Sequence, residues 1–207
     1  AFLAATSLGA IWSCCSQDFG VSSVVDRFAQ IEPVLFIAAD GYYYNGKTHT
    51  RLEEIDAVRQ SLQGLRDTLL INYTGAVRDE VKSGITIYDT LIDGNDEDPE
   101  FEAVPFDHPL WILYSSGTTG APKAITHSHG GCLLEHLKYL AFHNDVHPGE
   151  RFFWYTTTGW MMWNFLHGSM MLGATIVLYD GSPGYPDIDR LWAFSAEKDI
   201  QHFGTSA

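Results

Sequence analysis

Residues 114–123 read YSSGTTGAPK. An apolar run ends at Tyr114, seven residues of Ser, Gly, Thr and Ala follow, and Pro122 and Lys123 close the stretch. Such residues build no core, so they serve turn geometry or a ligand. Gly117 and Gly120 admit positive φ and let backbone N–H groups approach an anion closely. Ser115, Ser116, Thr118 and Thr119 offer hydroxyl donors, and Lys123 adds one full positive charge. A hydrogen bond to a charged group contributes roughly 1.5–3 kcal/mol, so several together would hold a triphosphate. A Walker A loop is excluded, because Ala121 and Pro122 separate Gly120 from Lys123. A plain flexible turn has the same composition, but it explains neither the Pro-Lys ending nor the place directly after a strand.

A second stretch, TTTGWMMWNF at 156–165, also follows an apolar run and opens a helix. Three threonines and Gly159 at a strand's carboxyl end suggest a ligand cleft, since open α/β sheets bind ligands there. Trp160, Met161, Met162 and Trp163 then crowd one helical turn; aromatic and Met clusters of this kind also serve as plain core. HSHGGCLLEH at 127–136 offers His129, Cys132 and His136 at helical spacing, which a zinc hydrolase could use, although H-E-x-x-H is absent. SAEK, Ser195 to Lys198, matches S-x-x-K without the S-D-N and K-T-G partners, and reads as a surface helix.

The elements that must position these loops alternate. Strands are predicted at 34–38, 68–73, 85–89, 110–115, 151–156, 174–180 and 201–205. Helices are predicted at 2–12, 21–30, 51–63, 129–142, 160–172 and 187–198. Several strands are apolar on both faces, as in a parallel sheet covered by helices, so the fold class is α/β. Ser128 is placed to cap the helix at 129–142, with Leu133, Leu134, Leu137, Leu140 and Ala141 on the face toward the sheet. A short strand, AITH, precedes it.

Composition narrows the function classes. The 207 residues carry a formal net charge of −14, and protonating all nine histidines would still leave −5. A nucleic-acid groove is therefore not expected, because phosphate backbones select clustered Lys and Arg. No apolar run reaches the ~18 residues of a membrane helix, so no membrane insertion is expected. Three cysteines, two of them adjacent, make a poor disulfide framework and fit a reduced, cytoplasmic setting. Residues 93–102, DGNDEDPEFE, hold six acids and no base, and read as a solvated loop. With the prolines at 99, 105 and 109, the stretch 93–109 reads as an acidic connector between a first segment, 1–92, and a second, 110–207.

YSSGTTGAPK resembles the phosphate-binding loop of the AMP-forming acyl-CoA synthetases, members of the adenylate-forming superfamily. The likeness continues through EHLKYLAFHNDVHPGERFFWYTTTGWMMWNFLHGSMMLGATIVLYDGSPGYPD, AADGYYYNGK and SLGAIWSCCSQDFG, nearly the whole chain. It implies ATP-dependent activation of a short carboxylic acid, acetoacetate favoured, through an acyl-adenylate, then transfer to coenzyme A, with ATP, Mg2+ and coenzyme A as cofactors. It implies that Ser115, Ser116, Gly117, Thr118, Thr119, Gly120 and Lys123 bind phosphate, with Thr118 and Lys123 catalytic. It also puts Gly159, Trp160, Met161 and Met162 at the acyl group, where a 3-keto oxygen would need a hydrogen-bond donor that the motif does not name. DGYYYNGK, 40–47, resembles a region near coenzyme A, but the relatives' arginines are replaced by Tyr43, Tyr44 and Lys47, and a tyrosine-rich turn fits as well. The family's downstream glutamate, ribose-binding aspartate, hinge and C-terminal lysine are not found in the chain. The expectation is therefore part of an N-terminal adenylation domain, inactive or nearly so by itself. A nucleotide-binding segment without catalysis is the other reading.

Overall fold

The computed structural model describes residues 1–77, 82–94, 98–115 and 120–205. In chain order the elements are α1 (Phe2–Ser7), β1 (Trp12–Ser13), α2 (Val21–Phe28), β2 (Leu35–Ala39), β3 (Gly41–Tyr44), β4 (Lys47–Thr50), α3 (Leu52–Ser61) and β5 (Asp67–Ile71). There follow β6 (Ile85–Ile87), α4 (Tyr88–Ile92), β7 (Pro109–Tyr114), β8 (Ala124–Ser128), α5 (His129–Phe142) and β9 (Arg151–Trp154). The last are α6 (Met161–Gly168), continued by a 3-10 turn at Ser169–Leu172, then β10 (Thr175–Val177), α7 (Arg190–Glu197) and β11 (His202–Gly204). The chain divides into two compact units. The first comprises Ala1–Ser16, Glu100–Leu113 and the residues from Ile125 onward; the second comprises Gln17–Pro99 and Tyr114–Ala124.

The first unit holds two sheets, ordered β1-β7-β8 and β10-β9-β11. β9 is central in its sheet and parallel to both neighbours. Its side chains alternate between two cores, as a strand's period of two requires. Phe152 joins Leu140, Val146, Phe165, Leu166 and Ala174 on the α5 and α6 side. Phe153 joins Leu191 and Phe194 of α7 on the other. Both phenylalanines are 1% exposed, so this sheet is apolar on both faces because helices cover both, as expected for parallel strands. In the other sheet, Trp12 and Ser13 run parallel to Trp111 and Ile112.

The second unit carries the parallel sheet β2-β5-β6 and the antiparallel hairpin β3-β4. Asn45 and Gly46 form the hairpin turn with positive φ at both positions, 51° and 73°, which suits the right-handed twist of a two-residue connection. Asp40, fully buried beyond the end of β2, accepts from the backbone N–H groups of Thr74 (2.8 Å) and Ala76 (2.7 Å). It thereby pins the loop after β5.

Four details differ from the sequence reading. The first helix stops at Ser7 because Gly9 turns the chain at φ 71°. β1 and α4 were not anticipated, and the tyrosine-rich turn at 40–47 is a full hairpin. The helix predicted over 160–172 is α-helical only to Gly168. Ser128 does cap α5, accepting from Gly131 N at 3.2 Å, but the buried stripe is Gly130, Cys132, His136 and Leu140. Leu133 and Leu134 point outward instead. The reason is close packing: a Cβ on Gly168 of α6 would lie 2.4 Å from His136 Nδ1, so α5 meets α6 through its smaller and polar face.

Leu140 is fully buried. Leu140→Ala is expected to lower unfolding free energy by about 2–5 kcal/mol, read from chemical denaturation. Burial also holds the His136 and His167 imidazoles below the usual histidine range, for His167 against its bond to the Trp163 carbonyl. The unfolded chain therefore takes up these protons first as pH falls through about 6.5. Stability should drop from there toward the lower folded-state values, so the urea midpoint should be lower at acidic pH than at neutral pH.

Candidate active site

The described part of the 115–123 loop lies in the second unit, and its stems are closed by a reciprocal pair. Ser115 N donates to the Lys123 carbonyl at 3.0 Å, and Lys123 N donates to Ser115 Oγ at 3.0 Å. The C-terminal turn of α2 grips both stems. Tyr114 Oη donates to the Arg27 carbonyl (3.0 Å), and Gln30 Nε2 donates to the Pro122 carbonyl (2.8 Å). The Arg27 guanidinium lies over the Phe19 and Tyr114 rings, 4.9 and 5.9 Å from their centroids. Gly120 and Lys123 are exposed and Ser115 is half-buried. The lysine can thus reach an anion, while its backbone is fixed. Ser116, Gly117, Thr118 and Thr119 lie outside the described residues.

The 156–160 loop lies in the first unit, between β9 and α6. Two hydrogen bonds from the vicinal cysteines hold it. Thr158 Oγ1 donates to the Cys15 carbonyl at 2.9 Å, and the Cys14 thiol donates to the Thr158 carbonyl. Burial pushes the Cys14 thiol up to about 11, so the thiol keeps its proton near neutral pH and can serve as donor. Because β1 runs along β7, with Ser13 Oγ donating to the Ile112 carbonyl at 2.8 Å, the same short segment ties this loop to the strand that leads toward residue 115.

Core packing accounts for only part of the aromatic and Met cluster. Met162 and Trp163 are half-buried against the Leu140–Phe165 core. Trp160 and Met161 are 62% and 50% exposed, which a core role does not explain. Trp160 is the N-cap position of α6, and no side chain caps that end. The positive end of the helix at this loop suits a carboxylate. Gly159 is half-buried just ahead of it.

The competing motifs find other roles. Among the described residues no three His, Cys, Asp or Glu side chains come together as a metal site needs, so the zinc-hydrolase reading of His129, Cys132 and His136 has no geometry behind it. His136 packs on Trp111 and Phe165, and His129 lies against His108. The three cysteines are free thiols. Ser195 and Lys198 flank the end of α7, where Lys198 pairs with Glu197 at 2.7 Å. In the 40–47 stretch, Tyr42 stacks on His49 and Tyr43 meets Tyr73 edge-on, so the tyrosines build a hairpin.

Residues 1–206 match the family model described as AMP-binding enzyme. The chain belongs to the AMP-binding enzyme family. An acetoacetyl-coenzyme A synthetase from Rhizobium meliloti (strain 1021) is 49% identical over 99% of this chain and 32% of its own length. The acetoacetyl-CoA synthetase of Danio rerio is 45% identical over 100% of this chain, again 32% of its own length. The solved acetoacetyl-CoA synthetase from Streptomyces lividans superposes with a TM-score of 0.93 at 51% identity, covering 99% of this chain and 31% of that one. The chain thus spans about a third of the length of these AMP-binding relatives. The α/β architecture with parallel sheets is that of the N-terminal part of the adenylate-forming fold.

Two residues that serve these loops escaped the sequence reading: Gln30 and Cys14. They carry no motif signal, because their partners are backbone carbonyls 92 and 144 residues away. Each loop-stem bond should be worth about 1 kcal/mol. Gln30→Ala and Tyr114→Phe are each expected to speed hydrogen exchange at the Lys123 amide about fivefold, measured by NMR or mass spectrometry.

Proposed function

We propose that this chain is part of the N-terminal adenylation domain of an acid–thiol ligase that activates acetoacetate with ATP and passes the acyl group to coenzyme A. One observation carries the reading. In a member of this family, a Ser/Gly/Thr loop is closed at its base by Ser115 and Lys123, with the lysine exposed and its backbone held. Choice of acetoacetate over other short acids is supported by the relatives' names and by the exposed Trp160 and Met161 at the mouth of the second loop.

In the first half-reaction an acid oxygen bonds to the α-phosphorus of ATP, the bond to the β-phosphate oxygen breaks, and pyrophosphate leaves. Negative charge gathers on the departing group. Loop amides, the hydroxyls of Ser115, Ser116, Thr118 and Thr119, and the Lys123 ammonium would stabilise it, with Gly117 and Gly120 allowing close approach. Thr118 and Lys123 are the proposed catalytic pair. In the second half-reaction the coenzyme A sulfur bonds to the acyl carbon and AMP leaves. Gly159, Trp160, Met161 and Met162 would line the acyl group, the apolar side chains meeting its short carbon chain. Mg2+, when bound to the phosphates, would share that charge with the loop and Lys123. Lys47, exposed at the hairpin, is the cationic side chain within the coenzyme A-like stretch.

A cytoplasmic setting accords with three free thiols, and a net charge of −14 accords with small-molecule substrates in place of nucleic acid. Among the described residues no helix is long and apolar enough to cross a membrane. The test is acetoacetate-dependent exchange of labelled pyrophosphate into ATP by a synthetase of the relatives' full length carrying this chain. Exchange is expected, with Lys123→Ala slowing it about 100-fold or more, as loss of one charge-stabilising donor does. Absence of acetoacetate-dependent exchange, or an unchanged rate in Lys123→Ala, would overturn the corresponding half of the reading.

A further inference from the structure

We propose that Thr158 and Cys14 are positioning residues for the carboxylic acid: together they fix the Thr158–Gly159 peptide and, through it, the affinity of the 156–160 loop for the acid. The inference rests on the acid-activating function proposed above and deepens it.

The flanks of this loop are held by other groups. On one side Phe152 and Phe153 sit in the two cores, and Tyr155 N donates to the Gly204 carbonyl at 2.8 Å. On the other side Phe165 and Leu166 of α6 are buried in the first of those cores. Between these anchors the chain makes a four-residue turn, closed by Trp160 N on the Thr157 carbonyl at 3.1 Å. Thr158 and Gly159 are its central residues, and both are half-buried. The two common forms of such a turn differ by a half rotation of the central peptide, and glycine in the third position admits either form. The turn by itself therefore does not choose.

Segment 14–15 makes the choice. The Thr158 hydroxyl donates to the Cys15 carbonyl at 2.9 Å, and the Thr158 carbonyl accepts from the Cys14 thiol. The first bond fixes the side chain. The second fixes the peptide plane, because the Thr158 carbonyl and the Gly159 N–H belong to one planar trans unit and point in opposite directions. Holding the oxygen on Cys14 turns the Gly159 N–H away from segment 14–15. Trp160 and Met161, both exposed, follow directly, so the held peptide sets the entry to the side chains placed at the acyl group. Without the bracket the peptide is shared between two orientations, and apparent affinity falls with the fraction that remains competent. The 115–123 stems are closed by bonds of their own, so the effect is on the acid and not on ATP.

The experiment measures KM for acetoacetate and KM for ATP by pyrophosphate exchange, in a synthetase of the relatives' full length carrying this chain. Thr158→Val keeps the shape and removes the hydroxyl; Cys14→Ala removes the thiol. Each is expected to raise KM for acetoacetate about two- to tenfold, as loss of one hydrogen bond does. KM for ATP should hold, with Tm within about 2 °C of wild type. Thr158→Ser and Cys14→Ser keep a donor and are expected to restore the acetoacetate KM. Hydrogen exchange at the Trp160 amide, which closes the turn, is the readout that needs no acid: about two- to tenfold faster in Thr158→Val, and at the wild-type rate in Thr158→Ser. A merely structural pair would raise both KM values and lower Tm together, with the serine variants no better, and that result overturns the proposal. So does a wild-type acetoacetate KM or an unchanged Trp160 exchange rate in Thr158→Val, and the acid-activating reading then stands without it. If the wild type shows no acetoacetate-dependent exchange, that reading fails and the positioning role with it.

Discussion

A loop made of Ser, Gly and Thr cannot hold itself. It buries almost no apolar surface, and ordering each residue's backbone costs roughly 1–2 kcal/mol. The constraint on this chain is therefore that its ligand loops be fixed from their ends. At 115–123 the fixing is a reciprocal pair of backbone and hydroxyl bonds between Ser115 and Lys123, braced by Tyr114 and Gln30 from either side of the α2 terminus. At 156–160 it is the Thr158 bracket with Cys14 and Cys15. In both places a few bonds at the base hold the backbone.

The sheets supply what those bases are attached to. Phe152 and Phe153 anchor β9 in two separate cores, so the strand that delivers the 156–160 loop is held on both faces. The parallel pairing of β1 with β7 places Cys14 just past the end of one strand and beside the end of another. A two-residue strand contributes little stability of its own. Its register, however, decides which side chain reaches Thr158. Shifting it by one residue would turn Cys14 to the other face.

Much of this was legible in the sequence, for definite reasons. Apolar runs bounded by Gly and Pro marked the main strands, and the periodic segments marked the main helices, because those signals are local. The two candidate loops stood out because their runs of Ser, Gly and Thr build no core. What was not legible depended on distant partners. Of the α5 leucines spaced to face the sheet, Leu140 is buried in the core, while Leu133 and Leu134 point outward and His136 packs inward against Gly168 of another helix. The hairpin at 41–50 was readable from Asn45-Gly46 and was anticipated in part, as a tyrosine-rich turn, beside the resemblance to a region near coenzyme A. Strand β1 is too short to carry a period, and α4 lies where β-branched residues predict a strand.

The buried polar groups of this chain divide into those that the fold satisfies and those that it does not. Asp40 binds two backbone amides, Thr68 accepts from Arg59 at 3.0 Å, and Ser169 donates to the Leu166 carbonyl at 2.8 Å. These serve the fold and are satisfied by it. Among the described residues, Thr74 Oγ1, His129 Nε2, Asn144 Oδ1 and Asn164 Oδ1 are buried without a hydrogen-bond partner, and at roughly 1–3 kcal/mol for each unmade bond they are a loss of stability that the apolar cores on the two faces of β9 must offset.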